Sequence, residues 1–277
     1  MSWQTVAAKD VRDAGRSKTI WLVVGVLGLL FLVLIGADFL TGSDLFNDFT
    51  DFVTTIVSFL GFLVPLIALL LGYKSVIHER VSGSIVLSLS FPHSRRDLIA
   101  GTFVGRGIVL LAPVLGTLVV VGLLGAFLYP PSGSELLGFG WLVLITALFG
   151  LGFLAVAIAL SMSTTAERRV TLGTFGAYIL LVSFWDNLVT ATVQFLYRFR
   201  QDALFTLPDW VYLMYLLKPA EAYNRLLRVG FDTTRGARYA SSEAPWFVDW
   251  WMALVVFAAW IVVPLTVGLY RFERTDL

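Results

Sequence analysis

Leu136-Leu-Gly-Phe-Gly-Trp-Leu-Val-Leu-Ile-Thr-Ala-Leu-Phe-Gly-Leu-Gly-Phe-Leu-Ala-Val-Ala-Ile-Ala-Leu160 is a run of 25 residues without one ionisable side chain. A helix of about 20 mostly apolar residues crosses the roughly 30 Å hydrocarbon core of a bilayer. Ile20–Ala37, Phe52–Tyr73, Gly107–Tyr129 and Trp250–Tyr270 meet the same test. A sixth run, Val170–Trp185, has 16 residues. It reaches about 24 Å, with the mainly apolar Asn187–Tyr197 available as an extension. The expected fold is an all-α polytopic membrane protein with six transmembrane helices, in one domain over 1–277. The third span is expected to begin near residue 95.

The whole composition agrees. Of 277 residues, 58% are hydrophobic and 14% charged, against roughly 45–50% and about 25% in soluble domains. That excludes an ordinary soluble enzyme and a disordered chain. A net charge of +1 gives no bulk attraction to nucleic acid, and the absence of cysteine excludes disulfides and metal–thiolate sites. The first apolar run exceeds the usual signal-peptide core of about 7–15 residues and is read as a retained helix.

Orientation follows from Lys and Arg in the short connections. Residues 1–19 carry Lys9, Arg12, Arg16 and Lys18, and residues 74–106 carry Lys74, Arg80, Arg95, Arg96 and Arg106. Arg168 and Arg169 lie in 161–169, and Arg271 and Arg274 in the tail. Residues 38–51 and 130–135 have none, and 38–51 holds Asp38, Asp44, Asp48 and Asp51. The alternation predicts both termini in the cytoplasm of a plasma-membrane protein. The remaining basic residues fall in 186–249, read as a long outer loop.

The six predicted spans contain no charge, which argues against a proton- or ion-coupled path. Pro65, Pro113 and Pro264 lie mid-span, as hinges for gating or as tolerated packing kinks. Gly101-Thr-Phe-Val-Gly105 is a small-xxx-small pair of the kind that lets helices approach closely. No Gly-Lys dipeptide occurs, so the chain has no Walker A loop. His78-Glu79-Arg80-Val81-Ser82 lacks the second histidine of a zinc helix motif. Hence no catalytic, cofactor or metal site is expected, and any energy must come from another polypeptide.

Three segments outside the spans carry information. Residues 2–19, with Trp3, Val6, Ala7 and Val11 at helical spacing among charges, read as an interfacial helix or a solvated basic leader. In 74–93, Ile85, Val86, Leu87, Leu89 and Phe91 are apolar but too few to span, so they dock on a partner or lie on the membrane. Pro92 ends this element, and Ser94-Arg95-Arg96-Asp97 reads as a cap that starts the next helix. In 186–249, two short helices are expected: one around Trp210–Leu217, and one from Pro219, with Glu221 in its first turn, Tyr223 within it and Gly230 as its stop. They cap an exit path, bind an outside partner, or pack on the helix ends.

These residues resemble a family. Glu79, Gly83, Ser84, Leu87-Ser-Leu89-Ser, Pro92, Ser94-Arg95 and Gly101-x-x-x-Gly105 are similar to the corresponding stretch of ABC-2 type permeases, in particular the nitrous-oxide-reductase maturation branch. Pro219-Ala-Glu221-Ala-Tyr223 resembles that branch's outer segment, and Lys9-Asp-x-x-Asp13-x-x-Arg16-Ser its N terminus. Ser84 stands for the family's usual Thr, and Thr102 for its usual Lys. The resemblance implies the permease half of an exporter. It implies two permease copies, each docked to a separate ATPase subunit that holds the ATP and magnesium, and leaves room for an extracytoplasmic partner. Residues 74–93 would form the coupling helix, with Glu79, Arg95 and Arg96 as polar groups at the joint. The competing readings are a secondary transporter or channel, and a membrane scaffold or assembly factor acting through the outer loop.

Overall fold

The computed structural model describes residues 3–15, 18–42, 46–73, 75, 77, 95–164, 166–198, 208–233 and 245–274. Among them, nine helices and no strand occur. They are α1 (Trp3–Gly15), α2 (Lys18–Thr41), α3 (Phe49–Gly72), α4 (Arg95–Leu128), α5 (Gly133–Met162), α6 (Glu167–Leu196), α7 (Asp209–Leu216), α8 (Pro219–Gly230) and α9 (Trp250–Glu273). Six of them, α2 to α6 and α9, are long and apolar enough to cross a membrane. They run alternately up and down, so the start of α4 and the end of α9 lie at one end, where Arg96 and Glu273 approach to 3.6 Å. This is the termini end; the other is the distal end.

The acidic character of the distal end has a local cause. Three spans begin there, and each has its free N–H groups met by a side chain. Asp48 accepts from Asp51 N at 2.8 Å at the head of α3. Ser132 and Glu135 form a reciprocal capping box on α5, and Asp249 accepts from Trp250 N at 2.7 Å on α9. Carboxylates placed there also complement the positive ends of the helix dipoles. The caps are tied across: Thr50 donates to Glu135 at 2.8 Å.

α5 is the axis of the bundle. Of its apolar window 72% lies inside, against 22% for each of α2, α6 and α9. α3, α4, α8 and α9 all pack on it, and Phe149, Phe153 and Tyr223 are among the largest fully buried side chains. The exposed large side chains of α2, α4 and α9 are mainly leucine and valine, with phenylalanine, Ile108 and, towards the ends of α9, tryptophan and tyrosine, a surface suited to lipid.

Two features depart from the reading of the sequence. The fifth span takes up the extension left open past Trp185 and continues to Leu196, so the segment read as outer from residue 186 gives its first part to a membrane helix. Asp186 therefore sits inside a span, and Arg106 sits inside α4; the spans are not free of charge. α6 also contains a π-helical stretch, Ile179–Phe184. The three prolines, by contrast, leave their helices continuous: Pro65 in α3, Pro113 in α4 and Pro264 in α9.

Candidate functional site

Two constructions stand out, one at each end of α5. At the distal end, α7 and α8 form a hairpin that enters the bundle. α8 starts with Pro219 at its first turn, Glu221 in that turn and Arg228 in its last. Pro219, Ala222, Tyr223, Leu226 and Leu227 are buried on one side, and this amphipathic side lies along α5. Gly230 meets Gly138: a Cβ on Gly138 would stand 2.3 Å from Gly230 O. The glycine expected to stop α8 is thus its last helical residue, required by close approach. Farther in, Tyr223 stacks on Phe149 with centroids 4.8 Å apart. Its hydroxyl pairs with that of Thr146 at 2.7 Å.

The inner tip of the hairpin lies beside Trp260, ten residues or about 15 Å along α9 from Trp250. That is half the thickness of a roughly 30 Å hydrocarbon core. Helix carbonyls at such a depth must find donors inside the protein. Indoles supply them: Trp260 donates to Leu217 O at 2.9 Å and Trp185 to Met214 O at 2.8 Å. A third, Trp141, donates to Leu226 O at 2.8 Å. Lys218, 7% exposed, sits at the tip and donates to Asp186 of α6 at 2.7 Å. Each charge offsets the other, the ammonium buried and the carboxylate half-exposed on α6. Nearer the distal surface, Arg225 pairs with Asp249 and so fixes α8 to the head of α9.

Of the three readings left open for this segment, the hairpin packs against the spans, and it does so within the bundle rather than on the helix ends. Of the outer-loop residues singled out in the sequence, Pro219 and Tyr223 are buried in the bundle, Glu221 is half-buried and Trp210 is exposed. Lys218, Asp186 and Thr146 were not singled out. Asp186 was legible as the charge that ends the fifth apolar run; its partner, 32 residues on, was not.

At the termini end, α1 crosses the start of α4 at the Gly101/Gly105 pair. A Cβ on Gly101 would stand 2.6 Å from Trp3 O, and one on Gly105 would stand 2.7 Å from Asp10 Cβ. Arg106 approaches Asp10 to 3.5 Å and donates to Leu71 O at 3.4 Å, joining α1, α3 and α4. The chain leaving α3 is fastened to α5: Ile77 N donates to the buried Ser161 Oγ at 3.0 Å. The expected coupling residues Glu79, Gly83, Ser84, Leu87, Leu89, Pro92 and Ser94 lie outside the described residues, as does the Arg95 side chain. Arg96 is described, largely exposed, with its guanidinium near Glu273. Among the described residues no group of three or more His, Asp or Glu is placed to hold a metal ion.

The comparisons with known proteins cover the whole of this architecture. The family model described as "ABC-2 family transporter protein" matches residues 4–277. A Pseudomonas aeruginosa protein named "Probable ABC transporter permease protein NosY" is 30% identical over 96% of this chain and 97% of its own length. Its namesake in Stutzerimonas stutzeri is 29% identical, with 97% of each chain covered.

Proposed function

The chain belongs to the ABC-2 family of transporter proteins, a multi-pass membrane permease, and we propose that it is the membrane half of an exporter driven by ATP hydrolysed on a separate subunit. Two copies of the permease would bind two copies of the ATPase on the termini end, a cytoplasmic placement that the basic residues of the short connections support. The observation that carries this reading is the family match over nearly the full chain, in a sequence with no phosphate-binding loop of its own.

The geometry supplies a route for the work. A push on residues 74–93 would reach α5 through the Ile77–Ser161 bond, because both groups are buried. α5 is a single 30-residue helix, about 45 Å long, whose other end carries the α8 hairpin through Gly138, Trp141 and Thr146. Tilting α5 would therefore move the hairpin tip near the middle of the membrane. Substrate would be admitted from one side and released to the other, with the hairpin as the distal closure. A partner outside the membrane would find the exposed Trp210 and Trp246 among the apolar side chains of the distal end.

The test is charge reversal at the joint. Arg95→Glu/Arg96→Glu is expected to abolish association with the ATPase and ATP-dependent transport while the permease still inserts. A scaffold acting through its distal loops predicts unchanged association and function, and a channel or secondary transporter predicts transport that persists without the ATPase.

A further inference from the structure

Among the described residues, Arg106 is the one cation more than two turns inside a membrane helix. It lies about 17 Å from the start of α4 at Arg95. A guanidinium does not shed its proton in a protein, so inside a span it needs partners from the chain. Arg106 has two. Its Nε approaches Asp10 Oδ2 of α1 at 3.5 Å, and both atoms are shut off from solvent. Its Nη1 donates to Leu71 O of α3 at 3.4 Å. The carboxylate of α1 is within reach because the two helices nearly touch. A Cβ on Gly105, the residue before Arg106, would stand 3.1 Å from Ala7 O. Leu71 lies in the last turn of α3, where carbonyls run out of helix donors. Ser75 N, the donor four residues on, turns instead to Gly72 O at 3.1 Å, and Ser75 Oγ donates to the same oxygen at 2.7 Å. Arg106 meets the carbonyl passed over, and its charge suits the negative end of the α3 dipole.

We propose that Arg106 is a positioning residue for coupling. It caps α3 from α4, is itself oriented by Asp10 of α1, and so fixes the direction in which residues 74–93 leave the bundle. A planar guanidinium suits the role, because its fork donates in two directions at once. The root of 74–93 is then gripped from two sides, by Arg106 here and by Ser161 of α5 through Ile77 N. α1 acts as a brace: if it shifts, the Asp10 carboxylate moves, Arg106 follows, and the last turn of α3 loses its cap. A push on the segment is met by α1 and α4 as well as by α5. The inference rests on the ATP-driven reading above and adds which residue aims the segment that receives the push.

The chain contains no cysteine, so Leu226→Cys on the hairpin reports without background from the permease. Its rate of labelling by N-ethylmaleimide is compared in the complex with the ATPase, without nucleotide and with magnesium-ATP and orthovanadate. Nucleotide is expected to change the rate in the otherwise unaltered chain. Arg106→Met is expected to cut that response at least about twofold, the lower end for a residue in a coupling network, with the ATPase still bound. Asp10→Asn, which keeps the shape and removes the charge, is expected to cut it in the same direction. The reversed pair Asp10→Arg/Arg106→Asp restores the attraction between α1 and α4 but sets a carboxylate against Leu71 O, so the response is expected to stay lost. A full response in Arg106→Met overturns the proposal and leaves the ATP-driven reading standing. Recovery in the reversed pair also overturns it, since Arg106 would then only anchor α1. If Arg106→Met does not assemble, Asp10→Asn decides by the same measure, and an unchanged response there overturns the proposal. If the unaltered chain binds no ATPase, or its hairpin does not respond to nucleotide, the ATP-driven reading and this inference fail together.

Discussion

Lys218 is the residue on which the buried hairpin turns. It stands at the N-cap of α8, is 7% exposed, and its ammonium meets Asp186 at 2.7 Å. Removing one member of such a pair leaves the other uncompensated, which typically costs about 3–5 kcal/mol. Asp186 is half-exposed in the single chain, so Lys218→Met is expected to cost the lower figure, about 3 kcal/mol, read as a lowered Tm in detergent. Replacing both, as Lys218→Met/Asp186→Leu, is expected to recover most of it; equal loss in the double variant would show that the pair does not hold the hairpin. A second residue-scale case lies in the turn after α4. Tyr129 donates to Asp38 at 2.6 Å, and burial, that bond and the nearby carboxylate push its phenol from 10.0 up to about 12. The folded value is raised, so this contact stabilises fully below pH about 10 and is lost as pH climbs towards about 12. Spectrophotometric titration should show one tyrosine ionising later than in Tyr129→Phe.

At the scale of elements, close approach without a side chain decides two contacts. The Gly138–Gly230 contact brings α8 onto α5, and Gly101 with Gly105 brings α1 onto α4. Gly138→Val is expected to force α8 off α5 at a cost of about 1–3 kcal/mol, the range for overpacking, and to raise cysteine accessibility at Leu226→Cys. Unchanged accessibility would mean that α8 follows a different path. This is also the scale at which sequence and structure part company. Five spans were legible because long uncharged runs have one physical explanation. The short run Val170–Trp185 left its extension through Asn187–Tyr197 open, because Asp186 interrupts it; only the fold reveals that Lys218 pairs with that carboxylate. α7 and α8, at 8 and 12 residues, are too short to span, so length alone placed them outside. Their burial depends on Trp141, Trp185 and Trp260 reaching over to their carbonyls, a relation that no local pattern encodes. The GxxxG pair was visible as a packing signal, but its partner helix was not. The π-helical stretch in α6 left no recognisable signature.

At the scale of the molecule, apart from the Lys218–Asp186 pair and Arg106, the charges gather in two belts at the ends of an apolar bundle. Carboxylates cap the distal helix heads, and Arg96, Arg168, Arg169, Arg271 and Arg274 sit at or near the helix ends of the other face. α5 links the two ends as the most enclosed helix, which suits a rod that transmits movement rather than a wall that touches lipid. In the proposed reading the molecule is a gated passage, and the account stands on its engine being a separate subunit. The direct measurement is affinity purification of the tagged chain from its own membranes, followed by assay of the eluate for magnesium-dependent ATP hydrolysis and, after reconstitution, for transport. The account predicts that an ATPase co-purifies, that hydrolysis disappears when it is stripped away, and that transport requires ATP. Full transport by the permease alone, without ATP or a second subunit, would contradict it.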